Sequence, residues 1–249
     1  MIEDPEIVLV AGDWHGNGAW SQLCFQHAYK SGADAILHLG DFGFWTDNPW
    51  TSRYLWTVEE AAQEWGIPIY WLPGNHEDYS RISEFNDPDN RPMTTYLPRG
   101  ERWTWWGKRF MALGGAFSVD RFMRTEGVGW WPGEELSRED VEYASRDDGI
   151  SVDVVVAHDC PTGVFIPGIG ADFRTQTRGE WPDHMLYGAT QHRDKVREVY
   201  DATKPKLWIN GHYHRCYEKF FQGTRFLGLD CDGTTVEKNT MILTPADVQ

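Results

Sequence analysis

Short apolar runs alternate with longer amphipathic stretches through the first part of the chain. The runs at 7–11, 35–39 and 67–72 predict buried strands, because each is a few residues long and is bounded by turn-forming residues. The stretches at 18–30 and 50–65 have the length and spacing of amphipathic helices, and a glycine closes each of them. This alternation of strands and helices predicts right-handed crossovers and a parallel sheet.

The hydrophobic pattern changes in the middle of the chain. The runs at 94–97, 103–106 and 109–113 are short and closely spaced, which predicts hairpins. The further elements that we expect are helices at 137–146 and 188–203, buried strands at 152–157 and 206–210, and short strands between 216 and 243.

A polar motif follows each of five predicted strands. The motifs are Gly12-Asp13-Trp14-His15-Gly16, Gly40-Asp41, Gly74-Asn75-His76-Glu77, His158-Asp159 and Gly211-His212-Tyr213-His214. The carboxyl ends of parallel strands lie at one edge of a sheet, so these side chains are expected to converge. Residues i and i+2 of an extended segment point the same way, so Asp13 and His15 can bind one ion together, and so can His212 and His214.

Carboxylate, amide and imidazole ligands together suit Mn, Fe, Zn or Ni better than Ca. Two such ions at a separation of roughly 3.5–4 Å can activate water and stabilise both the attacking and the leaving oxygen. Asp41 has two carboxylate oxygens and a strand end to itself, which makes it the natural bridge. A single Asp-x-His pair is weak evidence, and an isolated His158 is more often a core residue. The ordered set of five motifs is what favours a metal centre.

These motifs resemble those of the calcineurin-like metallophosphoesterase family. The resemblance implies an α/β four-layer sandwich of two mixed β-sheets flanked by α-helices, and we expect one such domain over residues 1–249. It implies one metal bound by Asp13, His15, Asp41 and His214, and a second bound by Asp41, Asn75, His158 and His212. It also implies that Asn75 and His76 contact the substrate and that His76 is the catalytic residue that protonates the leaving oxygen, which a poor leaving group requires.

The chain departs from one branch of this superfamily. The protein Ser/Thr phosphatases have an Asp-Arg-Gly run after the bridging Asp and an Arg before the Asn-His pair, where this chain has Phe44-Trp45-Thr46 and Pro73. The missing arginines argue against a phosphoprotein substrate, and a site with fewer positive charges suits a singly charged phosphodiester at least as well as a doubly charged phosphomonoester. The missing Asp leaves the partner of His76 open, with Asp47 and Glu77 as the candidates.

The charge balance limits the choice of partners. The formal net charge is −15, which disfavours long nucleic acids and anionic membranes as partners and argues against a nuclease function.

No apolar stretch approaches the roughly 20 residues that span a bilayer, and the N-terminus lacks a signal-peptide pattern, so we expect a cytoplasmic protein. The sequence leaves the oligomeric state open. The remaining histidines fit no motif and are expected to be structural: His27, His38, His184 and His192.

We therefore expect a dinuclear-metal-dependent phosphoesterase that hydrolyses small phosphodiesters, with cyclic nucleotides among the candidates. Manganese is the expected metal, and a metal-bridging hydroxide is the expected nucleophile. The alternatives are a phosphomonoesterase, a dinucleotide polyphosphate hydrolase and a non-catalytic scaffold of the same fold. The Gly- and Pro-rich stretch 162–188 is either a substrate-facing loop or a solvated surface excursion, and the same two readings apply to Arg174 and Arg178 within it.

Overall fold

Two mixed β-sheets form the centre of the molecule in a computed structural model that describes residues 4–170 and 181–249. The first sheet has the strand order β11-β1-β2-β3-β4 and consists of β1 (Val8–Ala11), β2 (Ala35–His38), β3 (Ile69–Trp71), β4 (Thr94–Tyr96) and β11 (Thr240–Leu243). The second has the order β5-β6-β7-β8-β10-β9 and consists of β5 (Arg102–Trp105), β6 (Lys108–Leu113), β7 (Val154–Ala157), β8 (Leu207–Asn210), β9 (Tyr217–Phe221) and β10 (Thr224–Gly228).

Each sheet has a parallel centre and antiparallel pairing at its edges. Strands β1 to β4 pair in parallel and β11 pairs antiparallel with β1. In the second sheet, β6, β7, β8 and β10 pair in parallel, while β5 and β9 are antiparallel edge strands. The parallel strands in the two sheets bring their carboxyl ends to edges from which loops can meet.

Helices flank both sheets. They are α1 (Gly18–Lys30), α2 (Pro49–Trp65), α3 (Arg138–Ala144), α4 (Asp183–Thr203) and α5 (Val236–Asn239), with 3₁₀ turns at Ile82–Glu84, Arg121–Met123, Pro132–Glu134 and Pro245–Val248. Apolar side chains of α1 and α2 cover the outer face of the first sheet, and those of α3 and α4 cover the outer face of the second. A third core lies between the sheets and contains Val10, Leu37 and Val156. The resulting four layers confirm the expected sandwich of two mixed sheets flanked by helices.

Local sequence explains where the helices begin and end. Asn48 caps α2 by accepting hydrogen bonds from the backbone N–H groups of Trp50 and Thr51, Pro49 follows it, and Gly66 ends the helix with a φ of 67°. None of the helices in the described residues is long and apolar enough to cross a membrane.

Two expectations about the elements are wrong. The run at 94–97 is not part of a hairpin, because β4 pairs in parallel with β3, and the chain then crosses to the second sheet, where β5 and β6 form an antiparallel pair. Helix α4 begins at Asp183 and not at 188, since the apolar spacing continues through the buried side chains of Met185 and Leu186.

Candidate functional site

The seven predicted metal ligands lie together where strands of both sheets end. Asp13 and His15 follow β1, Asp41 follows β2, and Asn75 follows β3 in the first sheet. The second sheet contributes the other three from the ends of β7 and β8: His158, His212 and His214. The site therefore needs both sheets.

Three of these residues, Asp13, His15 and His214, form what we call the outer cluster. Their potential ligand atoms all lie within 4.8 Å of one another, with Asp13 Oδ2 at 3.2 Å from His214 Nε2. The imidazoles are partly open to solvent, since 26% of the His15 side chain and 43% of the His214 side chain are exposed.

The other four residues, Asp41, Asn75, His158 and His212, form the inner cluster. Asn75 Oδ1 lies 3.0 Å from His158 Nε2, and the rings of His158 and His212 have centroids 4.9 Å apart. Asp41, Asn75 and His158 are buried. A second group of ligand atoms within 4.8 Å of one another consists of Asp13, Asp41 and His158, so Asp13 lies near both clusters.

Asp41 faces both clusters with one carboxylate. Its Oδ2 is 3.5 Å from His15 Nε2, and its Oδ1 is 3.5 Å from His158 Nε2. Two buried carboxylates, Asp13 and Asp41, repel each other in a low-dielectric setting unless positive charge lies between them. The donor set of carboxylate oxygens, an amide oxygen and imidazole nitrogens thus fits a pair of divalent metal ions.

The backbone at the ligands is unusual. Four of them have left-handed conformations: His15 with a φ of 46°, Asp41 with 52°, His212 with 70° and His214 with 49°. Non-glycine residues adopt this region rarely and at a cost, and such residues concentrate at functional sites.

Two glycines allow the ligands to approach closely. A side chain at Gly74 would overlap the Asp41 carboxylate and crowd His158, and one at Gly211 would overlap the carboxylate of Asp13. The glycines in these motifs thus make room for the ligands on neighbouring strands.

The model of the calcineurin-like phosphoesterase family, Metallophos, matches residues 7–216 of the sequence. The chain belongs to the calcineurin-like phosphoesterase family. The matched range includes the seven predicted ligands and His76. The family hydrolyses phosphate esters and depends on a dinuclear metal centre, and this chain has candidate residues for that centre.

Solved structures with low sequence identity share this family fold. The protein TT1561 of Thermus thermophilus superposes with a TM-score of 0.61 at 13% identity, covering 98% of this chain and 96% of that one. A dimetal phosphatase of Danio rerio has a TM-score of 0.58 at 13% identity, with coverage of 96% and 92%. The phosphopantetheinyl hydrolase of Mycobacterium tuberculosis has a TM-score of 0.52 at 13% identity, with coverage of 96% and 97%. No curated protein sequence matches this member of the family.

The carboxylates determine the protonation of the outer imidazoles when no cation is bound. Burial lowers the pKa of His15, but hydrogen bonds to Asp232 and Asp41 outweigh it and raise the pKa to about 11. Burial also lowers the pKa of His214, and the hydrogen bond to Asp13 raises it to about 10. In the inner cluster, burial lowers the pKa of His212 to about 4. Both imidazoles of the outer cluster are therefore positively charged near neutral pH in the metal-free protein, whereas His212 is neutral.

His76 lies beside the two clusters, but neither predicted partner contacts it. Its Nδ1 is 3.3 Å from the carbonyl oxygen of Gly129, and its Nε2 is 3.1 Å from Asn75 Nδ2. Glu77 instead accepts hydrogen bonds from backbone N–H groups, including that of Gly43 at 3.0 Å, and Asp47 lies 3.7 Å from Arg81. The expectation of an acidic partner is corrected to a main-chain carbonyl.

Two side chains that hold the ligands were missed by the sequence motifs. The Oδ1 of Asp232 is 2.8 Å from His15 Nδ1, and the hydroxyl of Ser118 accepts a hydrogen bond of 2.9 Å from Asn75 Nδ2. Asp232 could have been found, because it follows β10, a parallel strand that ends on the same edge as β8. Ser118 lies in an irregular segment after β6 and has no such signal.

A cavity of about 430 Å³ opens over both clusters. Its floor consists of ligands and His76, and its walls consist of Trp45, Ser118, Val119, Asp120, Arg124, Val128, Gly129 and Trp181. Arg124 Nη2 donates a hydrogen bond of 2.7 Å to Asp120 Oδ2. Trp181 belongs to the stretch 162–188 that was expected to face either substrate or solvent, whereas Arg174 and Arg178 lie outside the described residues.

The two buried histidines that fitted no motif have contacts of their own. The ring of His38 packs against Trp14 and Phe42, with centroids 4.6 and 5.2 Å away, and burial lowers its pKa to about 3. His192 Nδ1 is 2.8 Å from Asp159 Oδ2 in the core behind the inner cluster.

Proposed function

We propose that the chain is a dinuclear-metal-dependent hydrolase of small phosphodiesters, with manganese as the working metal and cyclic nucleotides among the candidate substrates. The observation that supports this choice is the cavity, which joins the two ligand clusters to a wall of mostly apolar side chains. A small ester with an organic group on either side of phosphorus would contact both surfaces.

The charge of the cavity favours a singly charged phosphodiester over a phosphomonoester or a dinucleotide polyphosphate. Arg124 is the only Arg or Lys lining the described part of the cavity, and its charge is offset by Asp120. A dianionic monoester or a chain of phosphates would call for further cations, which cluster where phosphate groups are bound. The net charge of −15 supports the same preference and argues against long nucleic acids and anionic membranes as partners. A cytoplasmic location remains part of the proposal.

Asp13, His15, Asp41 and His214 would hold one metal ion, and Asp41, Asn75, His158 and His212 the other. When bound, such a pair polarises the phosphoryl group and supplies activated water as the nucleophile. The chain's own contribution is to fix the ligands, exclude bulk solvent at the inner cluster and move a proton to the leaving oxygen.

His76 is the residue that we assign to this proton transfer. The carbonyl of Gly129 accepts from Nδ1, so Nε2 accepts from Asn75 Nδ2 in this structure and is the nitrogen that must take up the proton for the leaving oxygen. The Nε2 atom lies next to Asn75, and both residues line the cavity, where they can contact the phosphoryl group. Protonation of an alkoxide leaving group by such a residue accelerates reactions by about 10²–10⁴-fold.

The experiment compares bis(4-nitrophenyl) phosphate with 4-nitrophenyl phosphate as substrates of the Mn²⁺-loaded protein, followed by 2′,3′- and 3′,5′-cyclic nucleotides. We expect a higher kcat/KM for the diester, on the order of tenfold. A preference for the monoester would overturn the choice of substrate, and absence of turnover with any divalent metal would favour a scaffold. Intact ligands in both clusters argue against that scaffold.

A further inference from the structure

The loop after β10 lies directly behind the outer cluster and outside the residues that match the family, which end at 216. Asp232 in this loop faces the outer ring nitrogen of a predicted ligand: its Oδ1 is 2.8 Å from His15 Nδ1. Its Oδ2 accepts a hydrogen bond of 2.8 Å from Asn17 Nδ2, and its backbone N–H donates to the carbonyl of Asp13 at 2.9 Å. The carboxylate is therefore held in place from both sides.

This contact determines which nitrogen of His15 is available as a ligand. A carboxylate only accepts hydrogen bonds, so it keeps the proton of the neutral ring on Nδ1 and leaves the lone pair on Nε2, which points toward Asp41 at 3.5 Å. A carboxylate behind a metal-binding histidine also raises the basicity of the ring. The corresponding nitrogen of His158 in the inner cluster faces the uncharged carbonyl of Leu39 at 2.8 Å.

We infer that Asp232 is a positioning residue that orients His15 and sets the affinity of the outer cluster for its metal ion, independently of the inner cluster. The inference rests on the proposed dinuclear centre. It places a residue that supports this centre in a loop beyond the residues that match the family. It also makes the affinity for the outer metal ion depend on a residue, Asp232, that the inner cluster does not use.

The test is a calorimetric titration of the metal-free protein with Mn²⁺, with Asp232→Asn compared to the unaltered chain. Removing such a supporting group lowers metal affinity by about 10–100-fold. We expect this loss in one of two binding steps, with the other step unchanged. Turnover should fall at limiting Mn²⁺ and recover when Mn²⁺ is in excess, because the residue acts through His15 and contacts no substrate.

Two further variants separate this role from a general effect on folding. Asp230→Asn removes a charge from the same loop, where the carboxylate accepts a hydrogen bond from the backbone N–H of Cys231, and it should leave both binding steps unchanged. Asn17→Ser keeps a residue that can cap α1 but removes the amide that holds Asp232, so it should weaken the same step to a smaller extent.

Equal affinities in Asp232→Asn and the unaltered chain, with two ions bound by both, would overturn this inference and leave the proposed function intact. Weakening of both steps together would overturn it as well. If the unaltered chain binds no metal, the inference and the proposed function fail together. Nitrogen NMR shifts of the His15 ring in the protein loaded with diamagnetic Zn²⁺ give a second readout, since loss of Asp232 should change the hydrogen bond at Nδ1.

Discussion

The outer and inner clusters contain similar ligands but are supported in different ways. In the inner cluster His158 is fully buried, and the main-chain carbonyl of Leu39 fixes its ring. In the outer cluster His15 and His214 are partly exposed, and a side chain from a distant loop, Asp232, fixes His15. Main-chain support cannot be removed by substitution, whereas side-chain support can be altered without disturbing the strands. The comparison teaches that the main chain supports the inner cluster, whereas a side chain that can be substituted supports the outer cluster.

Asp41→Ala should have the largest effect on metal binding and turnover, because this carboxylate faces both clusters. We expect loss of both bound metal ions and a fall in kcat/KM of about 10³-fold or more, the scale on which a principal charge-stabilising group acts. Metal content and turnover measured on the same preparation check this. Asp89→Ala, which removes an exposed carboxylate that does not line the cavity, is the control and should bind metal normally. Retention of two ions by Asp41→Ala would contradict the bridging geometry.

His76→Ala should slow turnover while both clusters keep their metals. We expect a loss of about 10²–10⁴-fold with an alkyl leaving group and a much smaller loss with 4-nitrophenolate, which departs without a proton. His27→Ala changes a histidine of α1 that does not line the cavity, and it serves as the control. Equal losses for both leaving groups would remove proton donation from the role of His76.

Gly74→Ala should affect the inner cluster first, because the added methyl group would overlap the Asp41 carboxylate. Overpacking of this kind costs about 1–3 kcal/mol, which we expect as a lower free energy of unfolding together with weaker metal binding. Gly18→Ala is the matched control, since its nearest neighbour would be 3.4 Å away and alanine favours the first turn of α1. Equal free energies of unfolding for Gly74→Ala and Gly18→Ala would show that the space around Gly74 accommodates a methyl group, and would contradict this prediction.

Lowering the pH should weaken metal binding by the outer cluster, because protons compete with the metal ion for its imidazoles. The pKa values of His15 and His214 are raised to about 11 and about 10 in the metal-free protein, so both rings are charged near neutrality and must lose protons to bind a metal. The affinity of the outer cluster should therefore rise with pH, by up to about tenfold per pH unit for each proton released. His212, with a pKa lowered to about 4, releases none.

Titrations in buffers with different ionisation enthalpies count these protons directly. An affinity that does not change with pH would contradict the protonation that we assign to the outer cluster. Of the four predicted effects, the effect of pH on turnover should be the smallest, because saturating metal compensates for the lower affinity of the outer cluster.

The positions of both clusters at strand ends could be predicted from sequence because each motif is local: a buried strand and its candidate ligands follow one another along the chain. What could not be predicted depends on tertiary contacts. Gly129, which accepts from His76, is 53 residues away in an irregular segment, and Ser118, which accepts from Asn75, is 43 residues away in another. The parallel pairing of β4 with β3 also escaped prediction, since three short runs in sequence are equally compatible with a hairpin.

The most direct test of a shared dinuclear centre is anomalous diffraction at the manganese edge from crystals of the Mn²⁺-loaded protein. We predict two peaks roughly 3.5–4 Å apart, one against His15 and His214, the other against Asn75 and His158, with Asp41 between them. A single peak, or two peaks too far apart to share Asp41, would contradict the account.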